Sequence, residues 1–300
     1  MSQECRNADA SWTAVSLHLA HKKNMKKILS YFVVAIVTSA ASFLLFDSWS
    51  GNPVPKKGVV YASVHSSILQ ENRDVIIRLP RLYDSAKRYP VMYVLDGSSL
   101  DIPITDNLHI LTAAGYAPEA IVVGIPNMSA ENREINLTPP FMRRENENPE
   151  SLMGEADNFL NFMEKELIPF IEQKYACSSR VFCGNSRGGL AVMYSLIRKP
   201  VLFDARICFS TPFWRQDDIL IDSVASYLKK ADLLKTFIYM SAGGNETENI
   251  RGGLHRMTEA LMKNSGIIVH SEITPEAIHQ DNALYSSASA VSKWAEFSSR

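Results

Sequence analysis

Cysteine is scarce in this chain: four in 300 residues, at Cys5, Cys177, Cys183 and Cys208. Their spacing fits no metal-ligand pattern, and Cys183 and Cys208 lie in apolar strand-like runs that read as buried thiols. Neither charge sign dominates. With 31 basic against 32 acidic residues and a net charge of −1, nothing electrostatic points to nucleic acid as a partner. Repeats and low-complexity tracts are absent, which sets aside solenoids and disordered linkers. What is left, 46% hydrophobic and 21% charged, describes a globular chain with ample core, long enough for one large α/β domain or two small ones.

Long apolar runs are also absent, with one exception. Ile28 to Phe46 carries no charge, follows Lys22, Lys23, Lys26 and Lys27, and ends at Asp47. Basic-then-apolar is the pattern of a signal peptide or a single N-terminal anchor. Ser39-Ala40-Ala41 offers a cleavage site, but the apolar run continues through Phe46, which favours an uncleaved anchor. Met25 offers a second start. Residues 1–24 therefore read as an extension or misassigned start, 25–50 as signal or anchor, 51–58 as a Pro/Gly linker, and 59–300 as the folded domain. The lysines stay inside, so the domain is expected to be exported, either periplasmic or anchored to the inner membrane and facing outward.

Beyond the linker, Val59–Ser66 and Arg73–Leu79 flank a polar turn and predict an antiparallel pair. Short, largely apolar runs follow at Val91–Leu95, Ala120–Val123, Arg180–Cys183, Ala205–Phe209, Thr236–Met240 and Gly266–Ile273. These are marks of strands buried on both faces. Helical periodicity occupies Ala156–Tyr175, Leu190–Arg198, Ile219–Lys230, Arg251–Lys263 and Ala283–Phe297. The alternation predicts an α/β fold with a mostly parallel central sheet, helices on both faces and the antiparallel pair at its start. Asn127 to Gly154 shows no clear periodicity and reads as a functional loop at the ligand-binding edge of the sheet.

The strand Arg180–Cys183 runs into Gly184-Asn185-Ser186-Arg187-Gly188 and then a helix. A Gly-x-Ser-x-Gly in that setting predicts a nucleophile elbow, with the Ser186 hydroxyl held proud of the sheet and the Arg187 N–H aimed at an oxyanion. This is the α/β-hydrolase arrangement, whose chain order is serine, acid, histidine. His255, His270 and His279 follow Ser186. The first falls in a helix and the second in a strand, leaving His279, in a loop, as general base. The acid is expected after Thr236–Met240, where Glu246 stands, with Glu248 as competitor and an unassisted Ser-His dyad as the further alternative. The loop Asp96-Gly97-Ser98 is placed to give a second oxyanion donor, the Ser98 N–H. Arg133, Arg143, Arg144 and Arg187 are candidates to meet an anionic substrate.

Tyr93-Val94-Leu95-Asp96-Gly97, Ile121-Val122-Val123-Gly124-Ile125, Glu166-Leu167-Ile168-Pro169 and Gly184-Asn185-Ser186-Arg187-Gly188-Gly189-Leu190 resemble the esterase D group of α/β-hydrolases. That group holds siderophore-trilactone esterases, S-formylglutathione hydrolases, feruloyl esterases and mycolyltransferases. Asn132-Arg133, Leu137-Thr138-Pro139 and Leu202-Phe203-Asp204 resemble its siderophore-esterase-like branch. The likeness spans residues 58–297 and implies Ser186 as nucleophile, His279 as base, an acid near Glu246 and an oxyanion loop after Asp96-Gly97. Two departures stand out: Asn185 replaces the His or Gln common before the serine, and Gly243-Gly244-Asn245 precedes Glu246, in a group where some siderophore esterases work as dyads.

The chain is thus expected to hydrolyse carboxylic esters of small molecules, with no metal or organic cofactor. Acyl transfer to a sugar or lipid alcohol, and a non-catalytic binding role on the same fold, are the alternatives. Ester identity and oligomeric state are not encoded in these patterns.

Overall fold

The computed structural model describes residues 58–299, apart from 147, 232 and 233. The stretches 1–24 and 25–50, and all of the linker but Gly58, lie outside the described residues. Eight strands form one sheet in the order β1-β2-β4-β3-β5-β6-β7-β8. β1 (Val59–Ser66) and β2 (Glu71–Arg78) pair antiparallel, and β2 pairs antiparallel with β4 (Ile121–Ile125). From β4 onward, β3 (Tyr89–Leu95), β5 (Cys177–Asn185), β6 (Ala205–Phe209), β7 (Thr236–Gly243) and β8 (Ile267–Thr274) are all parallel. This is the α/β-hydrolase fold, with the antiparallel start that the sequence predicts.

Alternation of side chains along each strand divides the core in two. Val91, Tyr93 and Leu95 enter one apolar cluster, while Met92 and Val94 enter the other. On β7, Ile238, Met240 and Ala242 likewise face away from Phe237 and Tyr239. Both faces are dry, which is why these strands read as unbroken apolar runs. One face is covered by α1 (Asp101–Ala113) and α8 (Asn282–Ser298). The other is covered by α3 (Ala156–Phe162) with its extension α4 (Ile168–Glu172), α5 (Arg187–Arg198), α6 (Arg215–Leu228) and α7 (Glu248–Leu261).

Three departures from the sequence pattern have physical causes. The helix expected over Ala156–Tyr175 contains a π-turn at Met163–Leu167. Pro169, at the start of α4, has no N–H to give to the preceding turn, and the wider turn accommodates it. Helix α1 shows little apolar periodicity and buries only Asp101, Ile104, Thr105 and Leu108. Its buried Asp101 accepts from Arg78 Nε at 2.7 Å, so packing and an ion pair hold it rather than a broad apolar stripe. A third helix, α2 (Ala130–Leu137), lies inside the stretch read as a loop. Its inward face is polar: Asn132 Oδ1 accepts from Arg73 and from Asn136, and Asn132 Nδ2 donates to Glu71. The capping serine Ser129, which accepts from the Asn132 N–H, was the available sequence signal.

Strand order reverses at β3: the chain leaves it for β4 on one side and returns to β5 on the other. In such sheets the loops at that point part to leave a crevice beyond the carboxyl ends of the strands, the usual ligand position. One buried side chain secures the helix that starts at this crevice. Arg206 on β6 is fully buried. It donates to Ser195 Oγ and to the carbonyls of Ser195, Lys199, Pro200 and Phe203, and to Thr236 Oγ1. Most of these acceptors are at the C-terminal end of α5, where a cation opposes the helix dipole. Arg206→Met should destabilise the fold by at least about 3 kcal/mol, because several buried acceptors lose their donor together. Urea unfolding with an unchanged slope is the measurement, and Arg206→Lys should recover little of the loss.

Candidate active site

Ser186 stands between β5 and α5 at φ 54° and ψ −120°. A non-glycine residue so placed costs on the order of 1–3 kcal/mol. The turn is fixed by Ser186 N–H donating to Phe209 O on β6 at 2.8 Å, and by Gly189 N–H donating to Ser186 O at 3.0 Å. A Cβ at position 184 would lie 2.5 Å from the Gly188 carbonyl carbon, so only glycine fits where strand and helix cross.

His279 follows β8 in a loop pinned by Asn245 N–H donating to Ala277 O and by Ile278 N–H donating to Asp281 Oδ1. Its Nε2 lies 2.9 Å from Ser186 Oγ and its Nδ1 2.6 Å from Glu246 Oε1. Glu246 is 6% exposed. Its Oε2 accepts from Ser210 Oγ at 2.9 Å and from Gly243 N–H at 2.6 Å. Burial alone would raise its pKa, but the bonds from His279, Gly243 and Ser210 outweigh it and hold the carboxyl below the usual range. Glu248, the competitor, pairs instead with Arg251 on the surface. His270 stacks on Tyr239 and lies 3.2 Å from Glu272. His255 is exposed on α7.

Ser210 and Asn282 belong to this arrangement and were not anticipated. Asn282 Nδ2 donates to Ser210 Oγ at 2.9 Å and to Ser241 Oγ at 3.1 Å, so the hydroxyl that meets Glu246 is itself oriented. The available signal was a run of polar residues, Ser210-Thr211, at the carboxyl end of a buried strand. A pocket of about 350 Å³ beside the imidazole is lined by Asn245, Glu246, Thr247, Ile250, Ile278 and Gln280. Among the described residues, no group of three His, Cys, Asp or Glu side chains could hold a metal. Burial pushes the Cys208 thiol up to about 12.

The loop after β3 comes beside the elbow. Asp96 and Ser98 have φ of 56° and 76°, and Gly97 N–H donates to Ile125 O at 3.1 Å. A Cβ on Gly97 would meet Ile125 N at 2.5 Å, so this glycine serves close packing on β4 rather than approach to the serine. Among the described residues, neither the Ser98 nor the Arg187 amide has an intramolecular acceptor.

The arginines expected to face an anionic substrate each bond to the protein itself. Arg133 binds Asp96 through Nε and Nη2 at 2.6 and 2.8 Å. Arg143 donates to Ser151 O, and Arg144 to Met153 O and Glu155. Arg187 reaches Thr138 Oγ1 and Arg144 O, with Glu134 at 3.4 Å. Arg215 Nη2 adds bonds to the carbonyls of Arg143 and Arg144. An irregular segment leaves carbonyls that no helix or ladder satisfies, and guanidinium groups supply the missing donors.

The family described as "Putative esterase" matches residues 66–300. The chain belongs to this esterase family. It is 31% identical over 183 residues to the ferri-bacillibactin esterase BesA of Bacillus subtilis, covering 53% of this chain and 62% of that protein. It is 26% identical over 189 residues to the siderophore enterobactin esterase of Emericella nidulans, covering 56% of this chain and 61% of that one. Both matches span less than two thirds of the relative. Among solved structures, an IroE-like serine hydrolase from Shewanella oneidensis aligns with a TM-score of 0.71 at 26% identity, over 79% of each chain.

The depressed Glu246 pKa makes a pH-dependent stability. A carboxylate whose folded pKa lies below its unfolded value of about 4.3 stabilises the fold fully above that value. It loses the contribution as pH falls through the folded pKa. Glu246→Gln should therefore be less stable than wild type at pH 7, since its amide nitrogen, itself a donor, must face at least one of the three donors. The gap should narrow below about pH 4. Thermal unfolding of both proteins between about pH 3 and about pH 7 measures it.

Proposed function

We propose that the protein is a serine carboxylic ester hydrolase acting through an acyl-enzyme on Ser186. The observation that carries the reading is the continuous relay from Ser186 Oγ through His279 to Glu246, at the carboxyl edge of the sheet and at its switch point. His279 Nε2 takes the serine proton as Oγ attacks the ester carbonyl, and Nδ1–H stays bonded to Glu246. The imidazolium then protonates the leaving alcohol, and water enters by the same base to release the acid. The charged, buried Glu246 stabilises the imidazolium throughout. The Arg187 and Ser98 amides are the oxyanion donors.

Siderophore-type esters are the substrate class we favour, because the curated relatives above bear such names. Those names, and that of the serine hydrolase structure, describe hydrolysis and favour water over an alcohol as acceptor. We further assign the domain to the outer side of a membrane, on the strength of the lysine-flanked run Ile28–Phe46. Among the described residues no helix is long and apolar enough to cross a membrane, and that run lies outside them.

Ser186→Ala and His279→Ala should each lower kcat/KM for a p-nitrophenyl ester by roughly 10⁴-fold or more. Fluorophosphonate labelling should vanish in the serine variant. Glu246→Ala should lose about 10²–10⁴-fold, while Glu248→Ala stays near wild type. Persistent turnover in Ser186→Ala rejects the nucleophile, and equal losses at 246 and 248 reject the acid. For location, carbonate-resistant membrane association detected with a C-terminal antibody is expected, and a full-length cytosolic protein rejects export.

A further inference from the structure

Arg133 and Asp96 stand outside the Ser186–His279–Glu246 relay, yet together they touch both loops that carry its amide donors. Asp96 and Ser98 are held in the left-handed region, which persists only where the surroundings over-determine it. Beside the Gly97 N–H bond to Ile125 O, the Asp96 carboxylate contributes to that determination. Its Oδ1 accepts from Arg133 Nε at 2.6 Å and from Asn127 Nδ2 at 2.5 Å, and its Oδ2 accepts from Arg133 Nη2 at 2.8 Å. The same Nη2 donates to the main-chain carbonyl of Asn185 at 3.3 Å, one residue before the nucleophile. On the helix side, a Cβ at Gly188 would touch Asp96 Oδ2 at 3.4 Å, so the carboxylate lies against the first turn of α5. One guanidinium on α2 thus ties the loop after β3 to the elbow after β5.

We propose that Arg133 is the positioning residue of the oxyanion hole, setting the separation of the Ser98 and Arg187 amides through Asp96 and the Asn185 carbonyl. This rests on the reading of Ser186 as nucleophile. The planar fork of the guanidinium makes such a brace possible, because two parallel bonds fix the carboxylate in plane while a further N–H of the same group meets the carbonyl. An ammonium offers one point charge and cannot span both partners. Misplaced donors weaken stabilisation of the developing oxyanion while leaving ground-state binding alone, so the loss belongs in kcat and not in KM.

The test compares Arg133→Met, Arg133→Lys, Asp96→Asn and the double variant Asp96→Asn/Arg133→Met in hydrolysis of p-nitrophenyl butyrate. Each of Arg133→Met and Asp96→Asn should lower kcat by about 30- to 100-fold with KM within about twofold, and the double variant should lose no more than the worse single one. Arg133→Lys should fall between. Affinity for an alkyl boronic acid, which forms a tetrahedral adduct on the serine, should weaken in step with kcat. The acid limb of the pH–rate profile should not move, since His279 and Glu246 are untouched. A raised KM at constant kcat would make Arg133 a substrate-binding cation and overturn the proposal. So would kcat near wild type, or losses in kcat that track thermal midpoint and disappear on cooling. If Arg133→Met does not fold, Asp96→Asn and Arg133→Lys decide by the same criteria. Ser186→Ala is the control: turnover surviving there removes the nucleophile itself, a failure separate from any result at Arg133.

Discussion

A serine at φ 54° and ψ −120° has no intrinsic support for its backbone, and the surrounding architecture supplies it. The strand before it is paired on both sides, to β3 and to β6. The helix after it is almost wholly buried along its length, from Gly188 to Leu196. Its far end is anchored by Arg206, which donates to the carbonyls of Ser195, Lys199 and Pro200. Strain at one end of α5 is therefore opposed by a fixed strand, a packed face and a capped terminus. Loosening any of the three would let the turn relax into an ordinary helix start and withdraw the hydroxyl from the imidazole.

Glu246 shows how charge and burial share one residue. A carboxylate taken out of water would normally be neutralised. Glu246 stays charged because two donors besides the imidazole meet its oxygens, and one of these, Ser210, is oriented from α8 by Asn282. Glu248 lies only two residues away but remains in solvent with Arg251, where its charge is screened and distant from His279. Environment, not sequence proximity, separates the two.

Much of this was legible in the sequence, for reasons that the structure makes plain. The central strands announce themselves because both faces are apolar, and the elbow because its first glycine leaves no room for a side chain. His279 could be singled out by chain order and by its place in a loop. What escaped notice was held by polar contacts. Helix α2 turns asparagines inward to meet Arg73, so hydrophobic periodicity is blind to it. The arginines of the 127–154 stretch look like free cations in a linear text. Half of their bonds go to backbone carbonyls, which no side-chain pattern records. Ser210 joins Glu246 across 36 positions of chain, a relation created only by the pairing of β6 with β7.

The reversal of strand order has a consequence for how this scaffold can be altered. The segment between β4 and α3 follows one side of the switch point, whereas Glu246 and His279 follow β7 and β8 on the other. Exchange of the first flank for that of another hydrolase would leave the residues of the Ser186–His279–Glu246 hydrogen-bond chain in place. The graft is not free of conditions, because α2 reaches across to Asp96 and to the Asn185 carbonyl. A transplanted flank lacking a guanidinium at that point would bring a new pocket to an elbow and turn no longer braced against each other.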